Sequence, residues 1–110
     1  MSTVAQSSGE RVADQAPSPG GALIRVFVIC NKKGLHARAS AKFVQTVEKF
    51  DAEVRVTRGN ETVGGTSIMG LMMLAASPGT SISVEATGPE AAEVMEALAA
   101  LIASRFGEED

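Results

Sequence analysis

Strand-like alternation of apolar and polar residues recurs along the chain. Val54 and Val56 share one side of such a stretch, and Ile82 and Val84 share one side of another, which is typical of strands with one buried face. In the stretch Leu23–Ile29 most residues are β-branched, whereas the stretch Glu61–Gly65 is short and predicts a strand only weakly. The predicted strands are Leu23–Ile29, Ala52–Arg58, Glu61–Gly65 and Thr80–Ala86.

Between and after these strands, apolar residues recur every three or four positions, the spacing of one helical face. The pattern predicts helices over Ala37–Phe50, Ser67–Ala76 and Pro89–Phe106. At the start of the last helix, Thr87 and Glu90 are spaced as a capping box, with Pro89 in the first turn. The middle helix is apolar on all sides, so it is either fully buried or offers one face to a partner.

The order of these elements, β-α-β-β-α-β-α, predicts an α+β fold. We expect an open-faced sandwich, in which three helices cover one face of a four-stranded antiparallel sheet. Residues 1–21 are rich in Ser, Ala, Gln, Gly and Pro and have no apolar period. The sequence therefore predicts a disordered N-terminal extension over 1–21 and one compact domain over 22–110.

Composition narrows the classes of function. With 110 residues, 45% of them hydrophobic, the chain suits one domain with a substantial core. A net charge of −3 argues against nucleic acid as a partner, and no segment is long and apolar enough for membrane insertion. The single cysteine, Cys30, excludes an internal disulfide and is interpreted as a small packing residue. Because the N-terminus lacks a secretory signal pattern, we expect a cytoplasmic protein.

The charges are distributed unevenly. Residues 85–110 hold seven acidic side chains against one basic side chain. Residues 31–49 show the opposite bias, with five basic side chains against the single acidic Glu48. A local basic zone of this kind attracts an anionic group or an acidic protein surface. The basic side chains are Lys32, Lys33, Arg38, Lys42 and Lys49.

His36 is the one histidine, and it lies between the first predicted strand and the first predicted helix. The first backbone N–H groups of a helix have no intrahelical acceptor and, with the helix dipole, favour an anion. We expect the N–H groups from Ala37 to Ala39 to hold a phosphoryl group on the imidazole, with Arg38 donating to its oxygens. From position and charge alone, the alternative is a capping or surface histidine without chemistry. A zinc site is not expected, because one His and one Cys cannot supply its ligands.

Two segments together resemble the family of histidine-containing phosphocarrier proteins, HPr, of the bacterial phosphotransferase system. They are Gly34-Leu35-His36-Ala37-Arg38 and, some thirty residues later, Ser67-Ile68-Met69-Gly70. The resemblance implies that phospho-enzyme I phosphorylates His36 on Nδ1, and that the group moves to a histidine of a downstream A-type component. It also implies that Arg38 stabilises the phosphoryl group, and that the protein is a cofactor-free, monomeric carrier and not a stand-alone enzyme.

The second segment carries the implied regulation. Ser67 corresponds to the serine that an HPr kinase/phosphorylase modifies in part of the family, although a plain helix cap is the alternative from the residues alone. The implied docking residues are Ile68, Met69 and Met72. The sequence departs from the family at Ala39, where a proline is usual. We expect the first helix to begin regardless of this change, with slightly less rigidity.

Other functions stay open at this point. One is a purely regulatory binding protein that acts through Ser67 and the Met-rich surface, although the presence of both His36 and Arg38 argues against it. Another is a nitrogen-related regulatory branch of the same system. A third is a small α+β ligand-binding module without phosphate chemistry.

Overall fold

The computed structural model describes residues 17–18 and 22–108 of the chain. These residues form one antiparallel sheet with helices packed on one face. Its main strands are β1 (Ala22–Val28), β2 (Glu53–Arg58), β3 (Glu61–Gly64) and β4 (Ser81–Thr87), in the order β1-β4-β2-β3. The helices are α1 (Ala37–Glu48), α2 (Ile68–Met73) and α3 (Ala91–Ala103). This arrangement confirms the predicted α+β open-faced sandwich. No helix in the described ranges has the length and apolar character needed to cross a membrane.

The sheet also has a two-residue edge strand that the sequence did not predict. Pro17 pairs with Leu23 of β1, and Ser18 pairs with Ala22. A proline has no backbone N–H to donate, so it suits an edge of a sheet. These two residues thus pair with the sheet within the segment 1–21, for which disorder remains a prediction. The rest of that segment, 1–16 and 19–21, lies outside the described residues.

The core lies between the sheet and the helices. Val56 and Val84, which alternation placed on the buried face of β2 and β4, are fully buried. Phe43 of α1 and Leu98 of α3 close the core from the helical side and are also fully buried. Large aliphatic and aromatic side chains removed from water in this way supply most of the stability of a small domain.

The start of α3 differs from the prediction. Glu90 occupies the N-cap, but its side chain makes no capping hydrogen bond, so the predicted capping box is wrong. Thr87 stays in β4, opposite Glu53, and its backbone belongs to the sheet. The Glu90 carboxylate instead accepts a hydrogen bond of 2.6 Å from the backbone N–H of Asp51, which joins α3 to the start of β2.

The end of α3 also comes earlier than predicted. Arg105 and Phe106 adopt left-handed backbone angles, with φ of 58° and 57°, which a helix cannot continue. The turn carries the Phe106 ring into the core, where it is 1% exposed, and burial of this ring offsets the backbone strain. Gly107 follows at a φ of 73°. The chain is thereby redirected toward the beginning of α1.

Cys30 does not have the packing role that the sequence suggested. The residue is exposed, and its thiol donates a hydrogen bond of 3.3 Å to the carbonyl of Ile102 near the end of α3. A thiol is a weak donor, so the contact contributes little to stability.

Candidate functional site

The loop before α1 is held against the segment that follows α2. The N–H of Leu35 donates to the carbonyl oxygen of Ala76 at 2.9 Å. Gly34 has a φ of 66°, and a Cβ there would lie 2.2 Å from the same oxygen. Only glycine fits this backbone conformation and this close approach together. The glycine therefore fixes the position from which His36 enters the site.

His36 is the N-cap of α1, but its side chain makes no capping hydrogen bond. The first backbone bond of the helix runs from the N–H of Ser40 to the carbonyl of His36, at 2.8 Å. The N–H groups of Ala37, Arg38 and Ala39 therefore have no acceptor within the helix. The helix begins at Ala37 although Ala39 replaces the usual proline, as predicted, and this replacement adds one donor at the helix start.

A shallow basin of about 670 Å³ opens over this helix terminus. Four basic side chains line it, two from the loop before α1 and two from α1 itself, so most of the predicted basic zone forms one surface of the folded molecule. Lys49, the fifth basic residue, is the C-cap of α1 and does not line the basin. The lining residues are Lys32, Lys33, His36, Ala37, Arg38, Lys42, Gly107 and Glu108.

Glu108 is the site residue that the sequence did not predict. Its Oε2 contacts Nε2 of His36 and accepts a hydrogen bond of 3.0 Å from Nδ2 of Asn31. Asn31 is fully buried and also donates to the carbonyl of Gly34 at 2.8 Å. The acidic tail and the basic zone, which are far apart in the sequence, thus meet at His36.

The contacts of Glu108 change its acidity. The hydrogen bond from His36 lowers the pKa of the Glu108 carboxyl, and the Asn31 amide and the charge of Lys33 add to this effect, against desolvation by burial. Because the pKa is lowered in the folded chain, the contact stabilises the fold above the usual carboxyl pKa of 4.5. That contribution is lost as the pH falls through the lowered pKa, so Glu108 is a carboxylate at neutral pH.

The second predicted site lies on α2, outside the basin. Ser67 is the N-cap, and its hydroxyl oxygen accepts a hydrogen bond of 2.9 Å from the N–H of Gly70, as the capping interpretation predicted. Leu71 faces the core and is fully buried. The helix is shorter than predicted, because Ala75 adopts a left-handed φ of 55°. The exposed apolar side chains are Ile68, Met69, Met72 and Met73.

The fold connects the two sites without merging them. Helices α1 and α2 pack against each other. The segment after α2 also accepts the hydrogen bond at Ala76 that positions the His36 loop. The implied docking residues lie on the surface and do not belong to the core; they are Ile68, Met69 and Met72. A partner that binds the α2 surface would therefore contact a helix that packs on α1 and is followed by the segment hydrogen-bonded to the His36 loop.

Comparisons with known proteins agree with this arrangement. The family model described as "PTS HPr component phosphorylation site" matches residues 24–104. Phosphocarrier protein HPr of Neisseria meningitidis is 58% identical over 80 residues, which are 73% of this chain and 90% of that protein. Phosphocarrier protein NPr of Shewanella violacea is 37% identical over 86 residues, covering 78% and 94%. The crystal structure of HPr-C-His from Thermoanaerobacter tengcongensis is similar with a TM-score of 0.75 and 44% identity, covering 79% and 98%.

Proposed function

Since the chain belongs to the HPr family of phosphocarrier proteins of the phosphotransferase system, we propose that its acceptor is His36. In this proposal His36 takes a phosphoryl group from phospho-enzyme I and passes it to a histidine of a downstream A-type component in the cytoplasm. One observation carries the assignment: the histidine lies at the N-terminus of α1, inside a basin with four basic side chains. A dianionic group there meets free N–H donors and positive charge.

The geometry favours Nδ1 as the reacting nitrogen. Nε2 of His36 is engaged with Glu108, and within the described part of the chain Nδ1 has no hydrogen-bond partner. A neutral imidazole with its proton on Nε2 carries its lone pair on Nδ1. The lone pair is therefore available to attack phosphorus.

The proposal is tested by incubating the chain with enzyme I and phosphoenolpyruvate. A carrier acquires one acid-labile phosphoryl group and loses it when an A-type component is added. A purely regulatory binding protein acquires no such label but binds partners through the α2 surface. A ligand-binding module does neither, so the labelling assay together with a measurement of partner binding separates the three alternatives.

Arg38 is expected to support transfer more than folding. Its side chain is exposed and has no ion pair within the described residues. Arg38→Ala should therefore change the free energy of unfolding by less than about 0.5 kcal/mol. Loss of a charge-assisted hydrogen bond to the phosphoryl group should slow phosphotransfer by about 10- to 100-fold.

The matched control for this variant is Arg55→Ala, because Arg55 is an exposed arginine in β2 and does not line the basin. The control should keep both the melting temperature and the transfer rate of the wild type. A large drop in the melting temperature of Arg38→Ala together with normal transfer would reverse the assignment and make Arg38 a structural residue.

We propose that phosphorylation of Ser67, by an HPr kinase/phosphorylase where one is present, acts as an off-switch. Ser67 is exposed at the start of α2, next to the exposed apolar surface of Ile68, Met69 and Met72. A phosphate adds about −1.5 to −2 charges at neutral pH, which a helix N-terminus tolerates. On a docking surface the same charge must be desolvated or must face an acidic partner, and both weaken binding.

Ser67→Asp should imitate the switch without unfolding the protein. An aspartate keeps an acceptor for the Gly70 N–H, whereas Ser67→Ala loses it and should be destabilised by about 1 kcal/mol. We expect Ser67→Asp to melt near the wild type but to be labelled at His36 about tenfold more slowly than Ser67→Ala at limiting enzyme I, which corresponds to about 1.4 kcal/mol of lost docking. Equal labelling rates would reduce Ser67 to a helix cap.

The branch of the system is a separate choice. The similarity to both HPr and NPr proteins supports a sugar-related and a nitrogen-related branch alike. We favour the sugar-related branch, because the identity to the HPr protein is the higher of the two. Comparison of phosphoryl delivery to sugar-specific and to nitrogen-related A-type components decides between them.

A further inference from the structure

The tail after α3 is anchored at two points before it reaches His36. The Phe106 ring is buried in the core, and the ammonium of Lys42 in α1 donates to the Phe106 carbonyl at 2.6 Å. Two residues later, Glu108 places its carboxylate on the His36 ring. Because the attachment at Phe106 does not involve Glu108, the carboxylate can be altered without releasing the tail.

We propose that Glu108 is a positioning residue for phosphoryl transfer. Its carboxylate holds the Nε2–H form of the His36 ring, orients Nδ1 toward the incoming group, and offsets the positive charge that the ring gains. This inference rests on the proposed function, because it concerns how the same histidine reacts. A carboxylate that orients an imidazole and stabilises its charged form is an established arrangement in acyl transfer.

The transfer step needs no added proton carrier. The lone pair of Nδ1 forms the bond to phosphorus, while the bond from phosphorus to the nitrogen of the donor's phosphorylated imidazole breaks. The electron pair of the broken bond stays on the donor nitrogen. The proton on Nε2 of His36 remains in place, so the phosphorylated ring is an imidazolium opposite the Glu108 carboxylate. Transfer onward reverses these steps and restores the neutral ring.

Asn31 fixes the orientation of this carboxylate. Its Nδ2 donates to both the Gly34 carbonyl and Glu108, so a flipped amide would set an oxygen against two acceptors. Asn31 is fully buried, which leaves the amide little freedom to move. The buried Asn31 amide, in the same loop as Gly34, therefore holds the Glu108 carboxylate against the His36 ring.

The basin tolerates the negative charge of Glu108. Four basic side chains line the same depression, so the surface that meets a phosphoryl group remains positive although one carboxylate is present. The carboxylate also contacts Nε2 and not Nδ1. Glu108 therefore assists the ring without occupying the position of the phosphoryl group. The basic side chains are Lys32, Lys33, Arg38 and Lys42.

The test uses the full chain with Glu108→Ala, Glu108→Gln and Glu108→Asp. Glu93→Gln is the charge-matched control, because Glu93 is exposed in the first turn of α3 and does not line the basin. Two-bond ¹H–¹⁵N spectra of the imidazole report which ring nitrogen of His36 carries the proton. Initial rates with phosphoenolpyruvate and increasing enzyme I separate the maximal rate of labelling from the apparent affinity.

We expect Glu108→Ala to shift the ring signals of His36 and to lower the maximal labelling rate by about 10- to 100-fold, with an apparent affinity within about twofold of the wild type. Glu108→Gln should lie between alanine and the wild type, because an amide oxygen accepts the Nε2 proton without charge. Glu108→Asp should recover part of the rate. Glu93→Gln should behave as the wild type.

The inference is overturned if Glu108→Ala is labelled as fast as the wild type, or faster, because the tail would then be neutral or obstructive. Unchanged ring signals in Glu108→Ala would overturn it as well. Failure of the proposed function is distinguishable, because the wild type itself would then carry no acid-labile label, and both proposals would fall together.

Discussion

Replacing His36 with alanine is expected to abolish acid-labile labelling from phosphoenolpyruvate and enzyme I. The alanine has no nitrogen that can form a bond to phosphorus, and His36 is the one histidine of the chain. The fold should survive, because the His36 side chain does not cap α1. The measurement is acid-labile incorporation by His36→Ala and the wild type at equal enzyme I, with a melting curve for each.

Acid stability separates this site from Ser67. A phosphoryl group on nitrogen is released by acid, whereas one on the Ser67 hydroxyl is retained. The Ser67→Ala variant is therefore the control, and it should keep the full acid-labile label. Undiminished acid-labile label on His36→Ala would contradict the assignment of His36 as the acceptor.

Gly34→Ala is expected to destabilise the fold more than a substitution at any exposed glycine turn. An alanine there must adopt a φ near 66°, and its Cβ would lie 2.2 Å from the carbonyl oxygen of Ala76. The backbone strain and the displaced loop together should cost about 3 kcal/mol or more of unfolding free energy. For a domain of this size, the melting temperature should fall by roughly 12 °C or more.

Gly59→Ala provides the matched control for the steric part of this loss. Gly59 has a similar φ of 61°, but a Cβ there meets nothing within 4 Å. The Gly59→Ala substitution should lower the free energy of unfolding only by the left-handed backbone strain, about 1 kcal/mol. Equal losses for the two variants would show that the contact with Ala76 has no energetic weight.

The same substitution should also reduce phosphotransfer in the molecules that remain folded. The clash at Gly34 pushes the loop away from Ala76 and stretches the hydrogen bond from Leu35. The His36 ring then moves relative to the N–H groups at the start of α1. A transfer rate equal to that of Gly59→Ala, measured well below both melting temperatures, would argue that the loop does not position His36.

The strands and helices were largely predictable, because their patterns are local. Val54 and Val56 alternate with polar neighbours, and their burial in β2 follows from the period of a strand. The ends of elements were less predictable. The last helix stops at Ala103 and not at Phe106, because burial of the Phe106 ring selects left-handed angles that the sequence pattern does not display.

The candidate site was predictable as far as it lies in one segment. His36 and Arg38 lie at the start of a helix. The free N–H donors follow from the direction of the chain there, and the positive charge follows from the arginine itself. Glu108 was not predictable, because seventy-two positions separate it from His36 and its neighbours in the sequence are ordinary surface acids. The acidic bias of the C-terminal part was the only signal of it.

The sequence by itself determined the α+β order of elements, the buried face of each strand, and the placement of His36 and Ser67 at helix starts. These features depend on residue periods and on neighbours along the chain. The tertiary structure decided that the methionines of α2 are exposed, and that Asn31 and Glu108 meet at the His36 ring. Such contacts depend on how distant segments pack, and packing is a property of the whole core, which no single segment of the sequence contains.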